Sequence, residues 1–255
     1  MAQEWIVQGL VLRRWGAQEA DKWISLLTPD YGKLRLRVRG AQKPGSRMGM
    51  LSEPLNIVRT RVIQGRQQQL MVQPQMVATF VRVRGDLERL SAALALLELL
   101  DRWLPEAHAE PQVYATALTG LNALERGQET ATIMGWVLWR LLYLLGYSPA
   151  LDACARCRTT DCEGEWVLEP QEGHLLCAAC ARGTHARTRL SQAQRATLQQ
   201  WLQMDTPASE WERVRPEEAQ ALLQLAARYA EHHLEDSPRW LEFLTRLNTP
   251  TAGSK

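Results

Sequence analysis

Acidic side chains are scarce in the first third of this 255-residue chain. Residues 1–85 carry five Asp/Glu against fourteen Lys/Arg, a net of +9, while the other 170 carry 23 against 16, a net of −7. The overall +2 conceals that polarity, and a cationic third suits a polyanion partner. Phenylalanine is nearly absent (two residues), so the ten tryptophans supply much of the aromatic bulk. No apolar run reaches the ~20 residues that span a bilayer. The greasiest stretch, IMGWVLWRLLYLLGY at 133–147, has Arg140 in its middle and reads as a buried helix. MAQEWIVQGLVLRRW at the start has acidic and polar residues where a secretory signal needs an apolar segment, so a cytoplasmic, non-membrane protein is expected. There is no GxxxxGK(S/T) phosphate loop, no internal repeat, and no cysteine outside one 27-residue window.

What is present in the first third reads as β. EWIVQGLVLRRW, DKWISLLTP, GKLRLRVRG, PLNIVRTRVIQG and QQQLMVQPQMVATFVRV are rich in strand formers and separated by Gly, Pro and Asp turn signals. Five short strands fit a small barrel, of which the OB-fold is one five-stranded example. An SH3-like barrel fits almost as well. In GKLRLRVRG, Leu34, Leu36 and Val38 alternate with Arg35, Arg37 and Arg39, giving one apolar and one wholly cationic face. Lys33 precedes them, and Lys43 and Arg47 follow in the loop. Arg59 and Arg61 repeat the alternation on the next basic strand, so the two strands could form one cationic surface. An isolated Arg-x-Arg is normally just a solvated sheet face. Two such strands and a basic loop in a +9 segment favour a bound polyanion.

From Asp86 the period becomes helical. Leu87, Leu90, Leu94 and Leu97 mark one face of a helix that stops at Pro105. Pro111 to Arg126, ended by Gly127, and Thr130 to Leu145 follow, the latter apolar nearly all round and therefore central in a bundle. Ser191 with Gln194 makes a capping box for a fourth helix. Pro216 opens a fifth, and 238–247 a short last one before a loose tail.

Cys154, Cys157, Cys177 and Cys180 form C-x2-C-x19-C-x2-C. Two thiolates three residues apart can face one metal, and a second pair completes a tetrahedron, the spacing of a zinc ribbon. Between them, GEWVLEPQEGHLLC reads as a hairpin turning near Gly173. Four sulfur ligands leave no site for water, so the zinc is expected to be structural. Cys162 reads as a free thiol on the ribbon, with replacement of one ligand as the alternative. His174 and His185 are weaker ligand candidates, and His232 and His233 are assigned to a helix surface. His108-Ala109-Glu110 upstream of a CxxC resembles the H-x-E of zinc deaminases. However, Ala153 stands where their proline would be, and the second CxxC would have no role.

Several ordered blocks carry a resemblance to a known family: GLVLRRWGAQEADKWISLLTPDYGKLRLRVRGAQKPGSRMGMLSEPLNIV (9–58), DLERLSAALALLELLDRWLPE (86–106), LLYLLGYSPALDACARC (141–157) and ARYAEHHLEDSPRWLEFLTRL (227–247). The chain resembles the bacterial RecO proteins of DNA repair. The resemblance implies an α+β multidomain chain: an N-terminal five-stranded OB-fold barrel (1–82) and an α-helical domain (83–150 and 186–248). A four-cysteine zinc ribbon (151–185) is inserted in the helical domain, and a flexible tail (249–255) follows. It implies a recombination mediator, not an enzyme, that binds single- and double-stranded DNA and anneals complementary strands. It also implies partnership with RecR, in some settings RecF, and with the C-terminal tail of single-stranded-DNA-binding protein. RecA would be loaded onto coated strands, and the protein would be nucleoid-associated.

On that reading the DNA-binding residues are Lys33, Arg35, Arg37, Arg39, Lys43, Arg47, Arg59 and Arg61. Trp15 and Trp23 could stack on bases, although packing at the barrel rim is the more ordinary role for each. The resemblance also implies an apolar groove with a basic residue nearby for the partner tail; Arg102 and Arg140 are basic residues beside apolar runs, but neither matches a family motif and neither is assigned to it. The rival readings are a scaffold whose basic face binds an acidic protein and, less favoured, a zinc-dependent nucleic-acid deaminase.

Overall fold

The computed structural model describes residues 3–17, 20–183, 188–205 and 214–234. The chain forms two compact units, Met1–Gly127 and Gln128–Lys255.

In the first unit the strands are β1 (Glu4–Gly16), β2 (Lys22–Thr28), β3 (Gly32–Val38), β4 (Asn56–Gln64) and β5 (Gln69–Thr79). They hydrogen-bond in the order β1-β2-β3-β5-β4, and β4 returns to β1, so the barrel closes without a free edge. All pairs are antiparallel except the short β3–β5 contact, Leu36 to Gln69 and Arg37 to Leu70. That five-stranded arrangement is OB-like. The alternation read from the sequence explains the interior. Leu34, Leu36 and Val38 pack with Val7, Ile24, Leu26, Val58 and Met71, and Arg35, Arg37 and Arg39 point away.

Gly32 opens β3 with φ +66°, and a Cβ there would lie 2.1 Å from the carbonyl oxygen of His108. Only glycine allows the 104–110 segment to cross so close. That segment is tied on by Ala107 N–H donating to the Lys33 carbonyl at 2.9 Å.

Three local features differ from the sequence reading. A short helix, α1 (Arg47–Leu51), interrupts the basic loop, capped by the Ser46 hydroxyl accepting from Gly49 N–H. The last predicted strand stops at Thr79, and α2 (Val81–Arg84) turns instead. The Glu125 carboxylate, from a helix some forty residues on, accepts from Arg82 and Val83 N–H at 3.1 and 3.0 Å. A tertiary partner thereby overrides the strand propensity of VRV.

The third feature is the buried side of α3 (Leu87–Trp103). Leu87 is 78% exposed and Leu94 42% exposed, and the core face runs through Ala93, Leu96, Leu97 and Leu100. Asp86 caps this helix through Arg89 N–H. α4 (Pro111–Arg126) starts on proline and ends at Gly127 in the left-handed conformation. α3 packs on β1 and α4 on β2.

In the second unit, α5 (Thr130–Leu144) is buried from Thr130 through Leu142, as its all-round apolarity requires. It packs against α6 (Gln192–Gln203) and α7 (Pro216–Leu234). Arg140 is 5% exposed, donates to the Leu202 carbonyl and the Asp205 carboxylate, and stacks on Tyr143. The predicted capping box of α6 is complete, with both Ser191 and Gln194 engaged.

A small sheet, β7-β6-β8, holds β6 (Trp166–Glu169) between β7 (His174–Leu176) and β8 (Thr188–Leu190). Gly173 turns the expected β6–β7 hairpin with φ +64°, and a Cβ there would meet the Tyr229 hydroxyl at 2.7 Å. No helix among the described residues is long and apolar enough to cross a membrane. The predicted helix at 238–247 and the tail at 249–255 lie outside the described residues.

Candidate metal centre and nucleic-acid interface

The cysteine geometry follows from two turns and one hairpin. The first knuckle closes on itself through Arg158 N–H to the Cys154 carbonyl at 2.9 Å, and the second through Ala181 N–H to the Cys177 carbonyl at 3.0 Å. The hairpin brings the two together. The Sγ atoms of Cys154, Cys157, Cys177 and Cys180 all lie within 4.8 Å of one another, and Cys157 and Cys177 are 3.7 Å apart. A tetrahedron with metal–sulfur bonds of about 2.3 Å has edges of about 3.8 Å, so the four residues fit one metal ion.

Four sulfurs this close cannot all ionise without a cation. Burial pushes the Cys154 thiol up, but N–H groups of Cys157, Cys177 and Arg156 outweigh it and bring it down to about 6. Hydrogen bonding with Cys177 and Cys157 pushes Cys180 up to about 12. Metal binding would draw protons off such a cluster.

Cys162 stands outside the four. Its sulfur accepts Ala178 N–H at 3.2 Å, beside the second knuckle. His174 is paired with Glu169 at 2.8 Å, and His185 lies outside the described residues. His232 is exposed on α7. His233 is not a plain surface residue, because its ring bonds the Pro170 carbonyl at 2.7 Å and packs on Tyr229 at 4.3 Å.

The cluster is anchored to the helices by Arg195 of α6. Its guanidinium donates to the carbonyls of Leu151, Thr160 and Asp152 at 2.8, 2.9 and 2.5 Å and lies 4.2 Å from the Trp166 ring. His108 and Glu110, the deaminase-like pair, belong to the first unit and face each other at 3.2 Å. The four-sulfur set is complete without them.

The cations of the barrel divide into committed and free. Lys33 donates to the Asp101 carbonyl and lies 3.9 Å from its carboxylate, fastening α3 to β3. Arg37 bonds the Asp21 carboxylate at 2.7 Å. The other Asp21 oxygen accepts Gly40 N–H at 2.8 Å, and the Asp21 carbonyl accepts from the Gln42 side chain at 2.6 Å. Asp21 thus anchors the start of the basic loop. The Gly40 N–H, and then Arg37, hold its carboxyl below the usual carboxylate range against the opposing effect of burial. Arg61 is 3.6 Å from Glu4. Lys43, Arg47 and Arg59 are exposed and make no ion pair among the described residues; Arg39 is exposed too, makes no close ion pair, and adds to the field that lowers the Asp21 pKa.

Arg35 is bound differently. Its guanidinium lies 4.9 Å from the Trp23 ring and 5.3 Å from the Trp15 ring. Trp15 and Trp23 are direct cross-strand partners of β1 and β2, half-buried on the outer face. Arg13 approaches the Trp15 ring at 5.6 Å. Its part was missed in the sequence, although RRW places it two residues from Trp15 and so on the same face.

Arg59 and Arg61 are not on the strand next to β3. Strand order sets β5 between β3 and β4, so strands adjacent among the basic segments are not adjacent in the barrel.

A family profile described as Recombination protein O N terminal matches residues 1–80, and one described as Recombination protein O C terminal matches 84–242. The chain belongs to the RecO family. A DNA repair protein RecO of Symbiobacterium thermophilum is 29% identical over 246 residues, covering 95% of this chain and 97% of the relative. The Roseiflexus sp. RecO is 31% identical over 237 residues, covering 93% and 83%. The RecO of Exiguobacterium sibiricum is 35% identical over 172 residues, covering 67% and 68%. RecO membership makes this a DNA repair and recombination protein, from a family of mediators and not of enzymes.

Proposed function

We propose that this RecO protein binds single- and double-stranded DNA without sequence preference through the outer face of its barrel. It anneals complementary strands and, with RecR and in some settings RecF, helps load RecA on strands coated by single-stranded-DNA-binding protein. The observation that carries the reading is the Trp15–Arg35–Trp23 cluster beside free cations. A groove for single strands combines cations that follow phosphates with aromatic faces for bases. Arg35 supplies a guanidinium already held between two indoles, and Arg39, Lys43 and Arg47 extend the cationic track along the loop. Arg59, with Arg61, offers further cations on β4, one strand removed from β3. Lys33 and Arg37 serve the site indirectly, by fixing β3 and the loop.

Such contacts grip the backbone and leave base order unread. The four cysteines are assigned a structural zinc that orders the ribbon. For the tail of single-stranded-DNA-binding protein, family membership is the support. Arg140 is buried by its own partners, and the hollow containing Arg102 pairs Arg13 and Arg102 with Asp101 and Glu98, which leaves no excess of positive charge for an acidic tail. The protein is assigned to the cytoplasm, at the nucleoid. The test is annealing of complementary oligonucleotides by the purified protein, bare and coated. Acceleration in both supports the mediator. A protein that binds partners but leaves annealing at its spontaneous rate is a scaffold, and the reading fails.

A further inference from the structure

Beside the Trp23–Arg35 pair lies an open hollow of about 500 Å³, bounded by β3, the β4–β5 turn and the 104–110 segment. Its lining combines Trp23 and Arg35 with Gln67, Gln68 and Glu106. The turn is held by Gly65 N–H donating to the Gln68 carbonyl at 2.9 Å. Gln69 donates its amide NH2 to the Gln64 side-chain oxygen at 3.1 Å, and Gln64 donates its own to the Gly65 carbonyl at 3.0 Å. Gln68 gives its amide oxygen to Arg37 at 3.5 Å, which leaves its NH2 group for a ligand. Gln67 is exposed, and its amide has no partner among the described residues. Glu106 is exposed and makes no ion pair among them.

Lys33 and Arg35 in the same lining attract phosphate, whereas the Glu106 carboxylate repels it and has another use. It accepts hydrogen bonds from amino groups. The Trp23 indole with Arg35 stacked on it, amide groups that match a base edge, and a carboxylate together describe a nucleobase site. The base must be unpaired, because a duplex stacks both of its faces on neighbouring pairs and leaves none for the indole and guanidinium.

We propose that this hollow takes one unpaired nucleobase and that Glu106 selects a base with an exocyclic amino group, so that cytosine is favoured over thymine. The two pyrimidines have similar size and stacking area, but thymine has a carbonyl where cytosine has N4–H2. The inference rests on the DNA-binding reading above and adds a modest base preference to it.

The test is fluorescence anisotropy of the full chain with oligo-dC and oligo-dT of about 15 nucleotides, at mildly alkaline pH where cytosine is unprotonated. Oligo-dC should bind roughly fivefold more tightly, the low end of what a good base-edge contact gives. Glu106→Ala should raise both affinities by removing a negative charge and bring their ratio close to unity. Glu106 is exposed, so the variant should fold normally, and circular dichroism checks that it does. Equal affinities in the unaltered protein, with binding still salt-dependent, would overturn the base site and leave the phosphate track standing. A preference that survives in Glu106→Ala would also overturn it. No binding to either oligomer would remove both readings together.

Discussion

Removing the loop cations Arg39, Lys43 and Arg47 together should change how DNA binding responds to salt more than it changes the fold. All three are exposed and make no close ion pair among the described residues, so their replacement by Ala should stay within about 0.5 kcal/mol of the original stability per site. If Arg35, Arg39, Lys43, Arg47 and Arg59 each neutralise one phosphate, the slope of log K against log salt for single strands is about −3.5, at about −0.7 per phosphate. Affinity should then fall roughly 100-fold between ~50 and ~200 mM salt. Without the three loop residues the slope should shrink to about −1.4 and the same change in salt should weaken binding only about sevenfold. Fluorescence anisotropy across a salt series reads both slopes. An unchanged slope in the triple variant would refute the assignment of the loop. A flat profile in the unaltered protein would refute the cationic track altogether.

Four smaller perturbations test other parts of the structure. Cys157→Ser should lose most of the zinc that metal analysis finds per chain, whereas Cys162→Ser should keep it, because only the former belongs to the four-sulfur cluster. Chelating the metal should also lower the thermal stability of the helices, since Arg195 joins α6 to three carbonyls of the ribbon; an unchanged melting curve in the metal-free protein would contradict that coupling. Asp21→Asn should destabilise by about 1.5–3 kcal/mol, the range for hydrogen bonds to a charged group, measured by urea unfolding. Because the folded protein holds the Asp21 pKa below the ordinary aspartate value, its contribution is complete above the unfolded pKa and disappears as pH falls through the folded one; acid titration of the unaltered protein against the variant should converge there. Gly32→Ala should destabilise by at least about 1–3 kcal/mol from the left-handed backbone alone, with more from the clash at His108, and a variant of unchanged stability would place the 104–110 segment elsewhere.

Much of the fold can be read along the chain because it depends on near neighbours. The period-two pattern of GKLRLRV predicts which face is buried. Asp86, Ser191 with Gln194, Pro111 and Gly127 mark helix ends through hydrogen bonds within a turn. The helix 87–103 shows where such reading stops. Its leucines at 87, 90, 94 and 97 look like the core stripe, yet alanines at 92, 93 and 95 are buried while Leu87 is not. Close approach of neighbouring elements rewards small side chains, and a hydrophobicity pattern does not register that. VRV at 81–83 has strand composition and becomes a helical turn because Glu125 supplies its N-terminal acceptor.

By itself the sequence determined the cationic character of the first third, its five strands, the longer helices from Leu87 to Leu234 and the four cysteines that cluster. Each is a matter of composition or of spacing within a few residues. Only the tertiary structure decided which cations are available. Lys33 is taken by Asp101, 68 residues away, Arg37 by Asp21, and Arg35 by two indoles from different strands. Long side chains find partners across the fold, and strand order puts β5 between the two basic strands. Periodicity reports the face from which a residue points. It cannot report what waits on that face.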